Sequence, residues 1–446
     1  MVDGSVLLSA EPSTVGCSGG PVTALCLTAD EQEMLDGAQG PAVALAMRVV
    51  TSFARARGAD RLVEIAHAHI DSCLYHGPVG LDFVRRLREL GGRVRVPTTL
   101  NVGALDLLHP SLVGEDPDVP ELHTAGRELM TAYADLGARP TYTCAPYQHE
   151  ARPGLGEHIA WAESNAIAFA NSVLGARTDR YGDFLDICAA LTGRAPYAGL
   201  HRDEQRAARL VLDCTDVPGI ADPGELTVVG IGALLGRIAG TEVAAVVGLP
   251  SDLPEERLKA LCAVAASTGS VALVHVVGRT PEATTLDAAL HGRRAERVVT
   301  VTGEEVAREL ASLSTVPAGL VDAVCVGTPH ASLAELGELA RLATEGPVVR
   351  AGVRAVVNTS RGTFALAQEA GLVAALRSAG WTLLTDTCSY IAPVLPRGTR
   401  TVATDSGKWA AYAPANLGVD VVLTTTAGCV EASRTGFATG VGRHAG

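Results

Sequence analysis

The chain contains 446 residues, 47% of them hydrophobic and 19% charged, a composition typical of a globular protein with two or three domains. Its formal net charge is −13 and no long basic stretch occurs, so we do not expect a nucleic-acid partner. The sequence has no run of about 20 apolar residues and no secretory signal pattern. We therefore expect a cytoplasmic protein without a membrane span.

Ten cysteines are scattered along the chain, at positions 17, 26, 73, 144, 188, 214, 262, 325, 388 and 429, and no two form a C-x-x-C pair. Cytoplasmic thiols are normally reduced, and several of these should simply be buried. A metal site would have to combine cysteines that are far apart in sequence.

The first 60 residues predict an extension followed by helices. Residues 1–26 are rich in Ser, Gly and Pro and predict an N-terminal extension of low order. Thr28 and Glu31 have the spacing of a capping box, which predicts a helix start, and a helical pattern returns over 42–57.

Residues 61–70 alternate with a period of two and predict one strand with His67 and His69 on the same face. These histidines are expected either to form ordinary hydrogen bonds at a strand end or to bind a metal. Residues 83–90 predict a helix. The strand predicted over 94–101 ends in polar residues that include Asn101, where α/β folds place ligands.

A helix is predicted over 121–136, and residues 141–177, the central stretch, follow it. The central stretch consists mostly of small residues but carries many polar and aromatic groups: Cys144, Tyr147, His158, Trp161, Glu163, Ser164, Asn165, Asn171, Ser172 and Arg177. Each polar group needs a partner when buried. The pattern therefore indicates either a ligand site or a buried helix whose Asn and Ser side chains are satisfied.

Residues 186–215 predict a helix, a turn and a second helix over 202–210. From about residue 226, strand-like and helix-like segments alternate, which predicts an α/β fold with a largely parallel sheet. After the extension we predict two α/β regions, 27–215 and 216–384, and a C-terminal part, 385–446, that returns to the site formed by the first region. The glycine run 230–236 misses the spacing of a dinucleotide-binding fingerprint by one residue, so we do not expect a Rossmann dehydrogenase.

Several predicted strands end in small polar or reactive groups. They are Asn101, Cys144, the Pro329-His330 pair, residues 359–361 and residues 386–388. Together they predict one site lined by strand ends, in which Cys144 and Cys388 are the thiols best placed for a metal. Lys408, followed by Tyr412, offers a cation there, or else a solvated surface lysine.

Residues from about 27 to 436 resemble the large, catalytic region of the aconitase X family. The resemblance rests on long segments that follow one another in order along the chain: EQEMLDGAQG, AHAHI, VPTTLN, TCAPY, HIAWAESNAIAFANSVLGART, LTGRAP, TGSVALVHVVGRTPEA, TPHASLAEL, DTCSYIAP, TDSGKWAAYAP and GCVEA.

The resemblance implies a hydro-lyase related to aconitase, with multi-layer α/β catalytic domains flanked by helices and without the swivel domain. The known activities of the family are the dehydration of cis-3-hydroxy-L-proline and of mevalonate 5-phosphate. By this resemblance we expect a small hydroxy-acid substrate of the first type, cis-3-hydroxy-L-proline, and a separate small swivel subunit. The alternatives are a dehydratase of mevalonate 5-phosphate or of another hydroxy acid, and a non-catalytic paralogue that binds a partner.

The resemblance also implies iron ligands. Cys144 and Cys388 would hold an iron–sulfur cluster, but Thr328 stands where many members have a cysteine in the Gly-x-Pro-His motif. Cys325 and Cys429 are weaker candidates for the third ligand, because Cys325 should face the other side of its strand. A [2Fe–2S] centre, an incomplete cubane and a mononuclear iron all stay open.

Site roles follow from the same resemblance. Catalytic roles are expected for Glu163, His330 and Ser172. The residues expected to bind the substrate are His69, Asn101, Ser164, Asn165, Arg177 and Lys408.

Overall fold

The structure is a computed structural model that describes residues 25–115 and 120–440. Most of the predicted N-terminal extension, with Cys17, lies outside these ranges, as do the last six residues of the chain. The described residues form α-helices and several sheets, most of them parallel, which confirms the predicted α/β class. None of the described helices combines the length and the apolar character needed to cross a bilayer.

The first region contains two small sheets with helices around them. A parallel sheet has the order β3-β2-β4, and β1 pairs with β5 in the antiparallel sense. The elements are α1 (Ala29–Asp36), α2 (Pro41–Ala56), β1 (Leu62–Glu64), β2 (Ala68–Ile70), α3 (Pro78–Glu89), β3 (Thr98–Leu100), α4 (Leu122–Asp135), β4 (Ala160–Trp161), α5 (Ser164–Phe169), α6 (Leu185–Thr192) and β5 (Arg194–Pro196).

The sequence signals for the first helices are confirmed. The Thr28 hydroxyl accepts from the Glu31 backbone, and the Glu31 carboxylate accepts from the Thr28 backbone, so the capping box forms at the start of α1. The predicted helices at 42–57, 83–90 and 121–136 correspond to α2, α3 and α4.

The single strand predicted over 61–70 is instead two strands in two sheets. The intervening backbone leaves the first sheet, because the Ile65 N–H donates to the Gly193 carbonyl and the Ala66 N–H donates to the His158 carbonyl. The alternation of side chains with a period of two continues from β1 into β2 although the two strands pair with different neighbours. The alternation alone therefore did not reveal the change of sheet. The helix predicted over 202–210 is also wrong: a short 3₁₀ turn, Asp203–Gln205, is followed by a strand, Leu210–Asp213.

The second region is a parallel four-stranded sheet of order β8-β7-β6-β9 with helices between the strands. Its elements are β6 (Leu210–Asp213), α7 (Glu225–Ala239), β7 (Ala244–Val247), α8 (Glu255–Gly269), β8 (Val274–Val276), α9 (Leu286–Ala289), β9 (Arg297–Thr300) and α10 (Gly303–Leu313).

The glycine run of α7 packs against α8. A Cβ atom on Gly232 would lie 2.8 Å from the Leu261 carbonyl oxygen, and one on Gly236 would lie 2.7 Å from the Ala265 carbonyl oxygen. On the facing helix, a Cβ on Gly269 would lie 1.7 Å from the Gly236 carbonyl oxygen. These glycines thus permit two helix backbones to touch.

The third region is built on a parallel five-stranded sheet of order β13-β12-β11-β14-β15, with an antiparallel pair β10-β16 beside it. The elements are β10 (Ala318–Leu320), β11 (Ala323–Ala331), α11 (Leu333–Thr344), β12 (Arg354–Thr359), α12 (Arg361–Glu369), α13 (Leu372–Ser378), β13 (Thr382–Leu384), β14 (Thr401–Thr404), α14 (Gly407–Leu417), β15 (Asp420–Leu423), α15 (Thr426–Thr435) and β16 (Phe437–Thr439).

This sheet crosses the boundary predicted between residues 384 and 385. The strand β14 lies after that boundary and pairs with β11, which lies before it. The residues on both sides of position 384 therefore belong to one structural unit. A single hydrophobic cluster contains buried residues from all three regions, so the regions are packed together around a shared core.

Candidate active site

The parallel sheet of the first region presents polar groups at the carboxyl ends of its three strands. Ile70 and Leu100 are paired at the ends of β2 and β3, and the next residues are Asp71 and Asn101. Glu163 follows β4 and caps α5, where its Oε2 accepts from the Ala166 N–H at 2.7 Å. The carboxyl edge of a parallel sheet is where α/β proteins bind ligands.

The five-stranded sheet of the third region contributes the opposite side of the site. His330 lies near the end of β11, Cys388 follows β13, and Lys408 lies in the first turn of α14, directly after β14. Cys144 comes from the loop beside β3, where the Thr143 N–H donates to the Leu100 carbonyl. The site therefore lies between the carboxyl edges of two sheets from distant parts of the chain.

Cys144, His330 and Cys388 form a compact group of metal-ligating side chains. Their ligand atoms all lie within 4.8 Å of one another, and all three residues are buried. The expected proximity of Cys144 and Cys388 is thereby confirmed. No third cysteine of the described residues belongs to this group.

The two thiols have opposite tendencies to ionise. Burial opposes ionisation of Cys144, but a hydrogen bond from Cys388 and the nearby Lys408 charge lower its pKa overall. The backbone N–H of His330 also donates to the Cys144 sulfur at 3.3 Å. The interaction with Cys144, together with burial, raises the pKa of Cys388. The interaction between the two thiols thus favours ionisation of Cys144 and opposes that of Cys388.

The imidazole of His330 is neutral and held at both nitrogens. Burial lowers its pKa to about 4. Nε2 lies 3.1 Å from the Thr387 carbonyl and donates to it, so Nδ1 accepts from the Thr143 hydroxyl at 3.1 Å. The ring would become a third metal ligand only by giving up one of these bonds.

A cavity of about 840 Å³ opens beside this group. Among the described residues, Lys408 is the one Lys or Arg on its wall. The polar and aromatic residues that line the cavity are Asp71, Tyr75, His76, Asn101, Glu121, Cys144, Glu163, Ser164, Tyr390, Lys408, Tyr412 and Asn416. Tyr390 and Tyr412 stack with their ring centres 5.8 Å apart. The cavity is large enough for a small organic acid.

Glu163 and Lys408 form a buried ion pair on the cavity wall. Burial alone would lower the pKa of Lys408, but the Glu163 carboxylate raises it overall, so the lysine is charged. The Ser164 hydroxyl donates to Glu163 Oε1 at 3.3 Å. Next to this pair, the Asn101 amide group donates to the Asp71 carboxylate. Burial raises the pKa of Asp71 to about 7, and the Glu163 charge adds to this effect.

Comparison with protein families matches the chain in three consecutive parts. Residues 24–204 match the aconitase X first domain, residues 208–311 match its second domain, and residues 321–435 match its third domain. The chain belongs to the aconitase X family. The family's division near residues 311–321 precedes the five-stranded sheet, which leaves that sheet intact within the third domain.

Relatives with assigned activities are dehydratases. The chain is 43% identical over 410 residues to the cis-3-hydroxy-L-proline dehydratase of Pseudomonas aeruginosa, an alignment that covers 91% of this chain and 70% of the relative. It is 36% identical over 408 residues to the phosphomevalonate dehydratase large subunit of Aeropyrum pernix, covering 89% of this chain and 97% of that subunit. The crystal structure of Thermococcus kodakaraensis aconitase X in its holo-form superposes with a TM-score of 0.82 and 31% identity, covering 92% of this chain and 100% of that one.

Five residues that the aconitase X resemblance assigned to catalysis or substrate binding do not line the cavity: His69, Asn165, Ser172, Arg177 and His330, the last of which belongs to the metal-ligating group. Asn165 supports the site from behind: its side-chain amide donates to the Cys144 carbonyl at 3.0 Å and to the Tyr147 hydroxyl at 2.9 Å. His69 is buried, and its Nδ1 lies 2.8 Å from the Thr99 hydroxyl. Burial lowers the pKa of His69 to about 3, so it is neutral.

Ser172 and Arg177 are engaged elsewhere. The Ser172 hydroxyl accepts from the Val274 N–H at 2.9 Å and so ties the first region to β8. Arg177 pairs with Asp203 and donates to the His201 carbonyl at 3.3 Å. The corrected positions place Ser172 in the interface between regions and Arg177 beside the 3₁₀ turn. The physical reason is that Ser172 lies in a π-helical turn, Ala170–Leu174, that continues α5 beyond its first residues at the cavity, and Arg177 follows that turn.

Cys325 and Cys429 are also placed outside the metal-ligating group. Burial raises the pKa of Cys325 to about 12, and burial likewise raises the pKa of Cys429. Neither thiol belongs to the group whose ligand atoms lie within 4.8 Å of one another. Thr328 is hydrogen-bonded within the third region, where its hydroxyl accepts from the Asn358 side chain at 3.3 Å.

Sequence reasoning missed Asp71, Glu121 and Tyr390 as cavity residues. A signal existed for Asp71, since it directly follows the apolar strand β2 and occupies the same strand-end position as Asn101. No comparable signal marked Glu121 or Tyr390, which reach the cavity from a helix start and a loop.

Proposed function

We propose that this chain is a hydro-lyase that dehydrates a small cyclic hydroxy amino acid of the cis-3-hydroxy-L-proline type. The observation that carries the proposal is the position of the Cys144–Cys388 pair beside a cavity that also contains Glu163 and Lys408. The similarity to two cis-3-hydroxy-L-proline dehydratases, from Pseudomonas aeruginosa at 43% identity and Hypocrea jecorina at 40%, supports the same activity.

The charge of the cavity favours an amino acid over a phosphorylated substrate. Among the residues that the structure describes, its wall carries the carboxylates Asp71, Glu121 and Glu163 but only one Lys or Arg, Lys408. A phosphate dianion needs several cationic or N–H donors. A zwitterionic amino acid has one positive and one negative group, and this wall can balance both.

The residues of the metal-ligating group fit an iron centre. Two thiolates are soft ligands of the kind that hold iron–sulfur clusters and iron, and the lowered pKa of Cys144 favours its thiolate form. Cys144 and Cys388 would hold the centre, whether a cluster or mononuclear iron, with His330 next to them. When bound, the iron supplies a Lewis acid for the hydroxyl group that leaves.

The dehydration also requires removal of a proton from the carbon next to the leaving hydroxyl. Glu163 is the proposed proton acceptor, because its carboxylate lines the cavity and is held in place by Ala166 and Ser164. Lys408 is proposed to bind the substrate carboxylate. A substrate carboxylate gives the Lys408 ammonium a second anionic partner and so weakens its hold on Glu163.

We also infer a small partner subunit. The alignments with three archaeal phosphomevalonate dehydratase large subunits cover 94–97% of the length of those proteins. We therefore infer that this chain corresponds to a large subunit. The partner is proposed to close over the cavity, exclude water and complete the acid–base groups.

The activity is tested with the chain purified without oxygen and incubated with cis-3-hydroxy-L-proline. An unsaturated product that absorbs in the ultraviolet, or its imine tautomer, should form without any nicotinamide. Turnover that strictly depends on a nicotinamide contradicts the proposal. A colourless preparation that contains no iron and turns over no hydroxy acid would favour the non-catalytic paralogue.

Dehydration of mevalonate 5-phosphate is the second candidate. The observation in its favour is the near-complete coverage of phosphomevalonate dehydratase large subunits, 97% for the Aeropyrum pernix protein. Competition between the two substrates in one reaction distinguishes the candidates, because the preferred substrate has the higher kcat/KM.

A further inference from the structure

Asp71 and Asn101 present two hydrogen-bond acceptors side by side on the cavity wall. They follow the paired strands β2 and β3, and the Asn101 amide group donates to Oδ1 of Asp71. The other end of the amide, Oδ1 of Asn101, has no partner although the residue is only 3% exposed. Buried polar atoms are normally satisfied. Asn101 lines the cavity, so an unsatisfied acceptor on this residue indicates a donor on the bound molecule.

The orientation of the Asn101 amide follows from its neighbour. The NH₂ end donates to Asp71, which leaves the carbonyl end without a partner. The opposite orientation would place the amide oxygen against a carboxylate oxygen, and two acceptors do not bond to each other. Asp71 thus fixes Asn101 as an acceptor, and it contributes a negative charge in its ionised form, which a bound ammonium group favours.

The unpaired Asn101 carbonyl and the Asp71 carboxylate offer acceptors, and the ionised carboxylate adds negative charge. Lys408, the one Lys or Arg among the described residues of the wall, is engaged with Glu163. A ligand group that matches this subsite carries a positive charge and two N–H bonds. The secondary ammonium group of a pyrrolidine ring has that charge and that number of donors.

We propose that Asp71 and Asn101 form the subsite for the ring ammonium group of the substrate, with one N–H donated to each. This inference rests on the proposed function and deepens it, because it names a carboxylate-bearing cyclic secondary amine as the substrate class. The substrate carboxylate then lies towards Lys408. A phosphorylated hydroxy acid has no group for this subsite and would bring an anion towards Asp71.

The test is calorimetric binding to the chain with its metal, using L-proline and cyclopentanecarboxylate. Both ligands have a five-membered ring and a carboxylate, but only L-proline has the ammonium group. We expect the wild-type protein to prefer L-proline by about tenfold or more, since hydrogen bonds to a charged group are strong. Asp71→Asn should abolish the preference, and Asn101→Leu should reduce it. Asp183→Asn is the matched control: it removes an exposed charge near Asp71 that does not line the cavity, and should keep the preference.

Equal affinity of the wild-type protein for both ligands overturns the inference, as does an unchanged preference in Asp71→Asn. Thermal unfolding shows whether Asp71→Asn has folded; if it has not, Asn101→Leu decides the question by the same comparison. The binding result is separate from activity. Preference for L-proline without dehydration of cis-3-hydroxy-L-proline contradicts the proposed function alone, whereas dehydration without the preference contradicts the ammonium subsite alone.

Discussion

Glu163 and Lys408 have a structural as well as a proposed chemical role, because each neutralises the buried charge of the other. The two residues are 4% and 3% exposed. We expect Glu163→Gln and Lys408→Met each to lower the free energy of unfolding by about 3–5 kcal/mol, since each leaves one buried group without its partner. The double variant should lose clearly less than the sum of the two. Urea denaturation of the four proteins measures this.

The same variants should lower kcat by about 100-fold or more if Glu163 transfers the proton. Glu157→Gln is the matched control, because Glu157 is an exposed carboxylate shortly before Glu163 and its Oε2 accepts from the Gly154 N–H. This control should keep both activity and most of the stability. Strictly additive losses in the double variant would show that the two charges do not stabilise each other.

The cysteines should divide into two classes by their effect on iron. Cys144→Ser and Cys388→Ser are expected to lose most of the bound iron, because each removes one of the two thiols of the metal-ligating group. Cys325→Ser and Cys429→Ser should retain it, as should Ser variants of Cys73, Cys188, Cys214 and Cys262, which are buried outside the group. Iron and sulfide analysis after oxygen-free purification measures this; retention of iron by the Cys144 and Cys388 variants would refute the assignment.

Asp71 should make the folded protein less stable as the pH rises. Its pKa is about 7 in the folded protein against 3.8 for the ordinary carboxyl, because of burial and of the facing carboxylates Glu163, Asp183 and Asp186. The folded state therefore binds more protons than the unfolded state between these values, and stability from this group is lost between about pH 4 and pH 7. Asp71→Asn should raise the melting temperature more at pH 8 than at pH 4. An equal change at both pH values would contradict the raised pKa.

At the residue scale, sequence reasoning identified strand-end residues well but long-range partners poorly. Asn101, Cys144 and Cys388 were identifiable because each stands in a strand-end motif. The pairing of Glu163 with Lys408 was not identifiable, since it joins residues 245 positions apart through two sheets. Ser172 and Arg177 were predicted near the site because they belong to the central stretch together with Glu163. Successive side chains of a helix point in different directions, however, so residues close in sequence need not reach the same site.

At the element scale, the contact between α7 and α8 depends on glycine. We expect Gly236→Ala to destabilise the protein by about 1–3 kcal/mol, because the added methyl group would meet the Ala265 carbonyl at 2.7 Å in a packed interface. Gly337→Ala is the control in helix α11, where an added Cβ has no atom within 4 Å. That substitution should stabilise the protein by about 0.5–1 kcal/mol, since alanine favours a helix over glycine.

Thermal or urea unfolding of both glycine variants gives the comparison. Equal effects of the two substitutions would mean that the helices can separate slightly at little cost. The sequence could be read for caps and helical periodicity, which predicted α1 to α4. It could not show that residues 61–70 change sheets or that the glycine run serves helix packing, because both depend on elements elsewhere in the chain.

At the scale of the whole molecule, a small partner subunit should affect turnover more than metal content. The cavity and the metal-ligating group are both formed by described residues of this chain, so we expect the partner to leave bound iron unchanged. Closure over the cavity should raise kcat by excluding water and adding an acid–base group. Mixing the purified chain with candidate small proteins from the same source measures this. Dehydration by the chain alone at an ordinary rate of about 1–1,000 per second would show that no partner is needed.

The third-region sheet shows why the domain bounds were hard to predict. Its strand order places β14 beside β11, while β12 and β13 lie between them in sequence. Strand and helix patterns indicate which elements exist, but not the order in which strands join a sheet. The boundary was therefore predicted at residue 384, where the chain leaves one edge of the sheet and returns to its middle.

Cys144 lies in a loop beside one sheet and Cys388 follows a strand of another, and the two sheets share no strand, so a metal centre held by both thiols would also cross-link the two sheets. A ligand that binds only the folded arrangement stabilises that arrangement in proportion to its affinity and supply. We therefore expect the metal-free protein to unfold at a lower temperature than the metal-loaded protein, and an added protease that cleaves opened chains to remove it sooner.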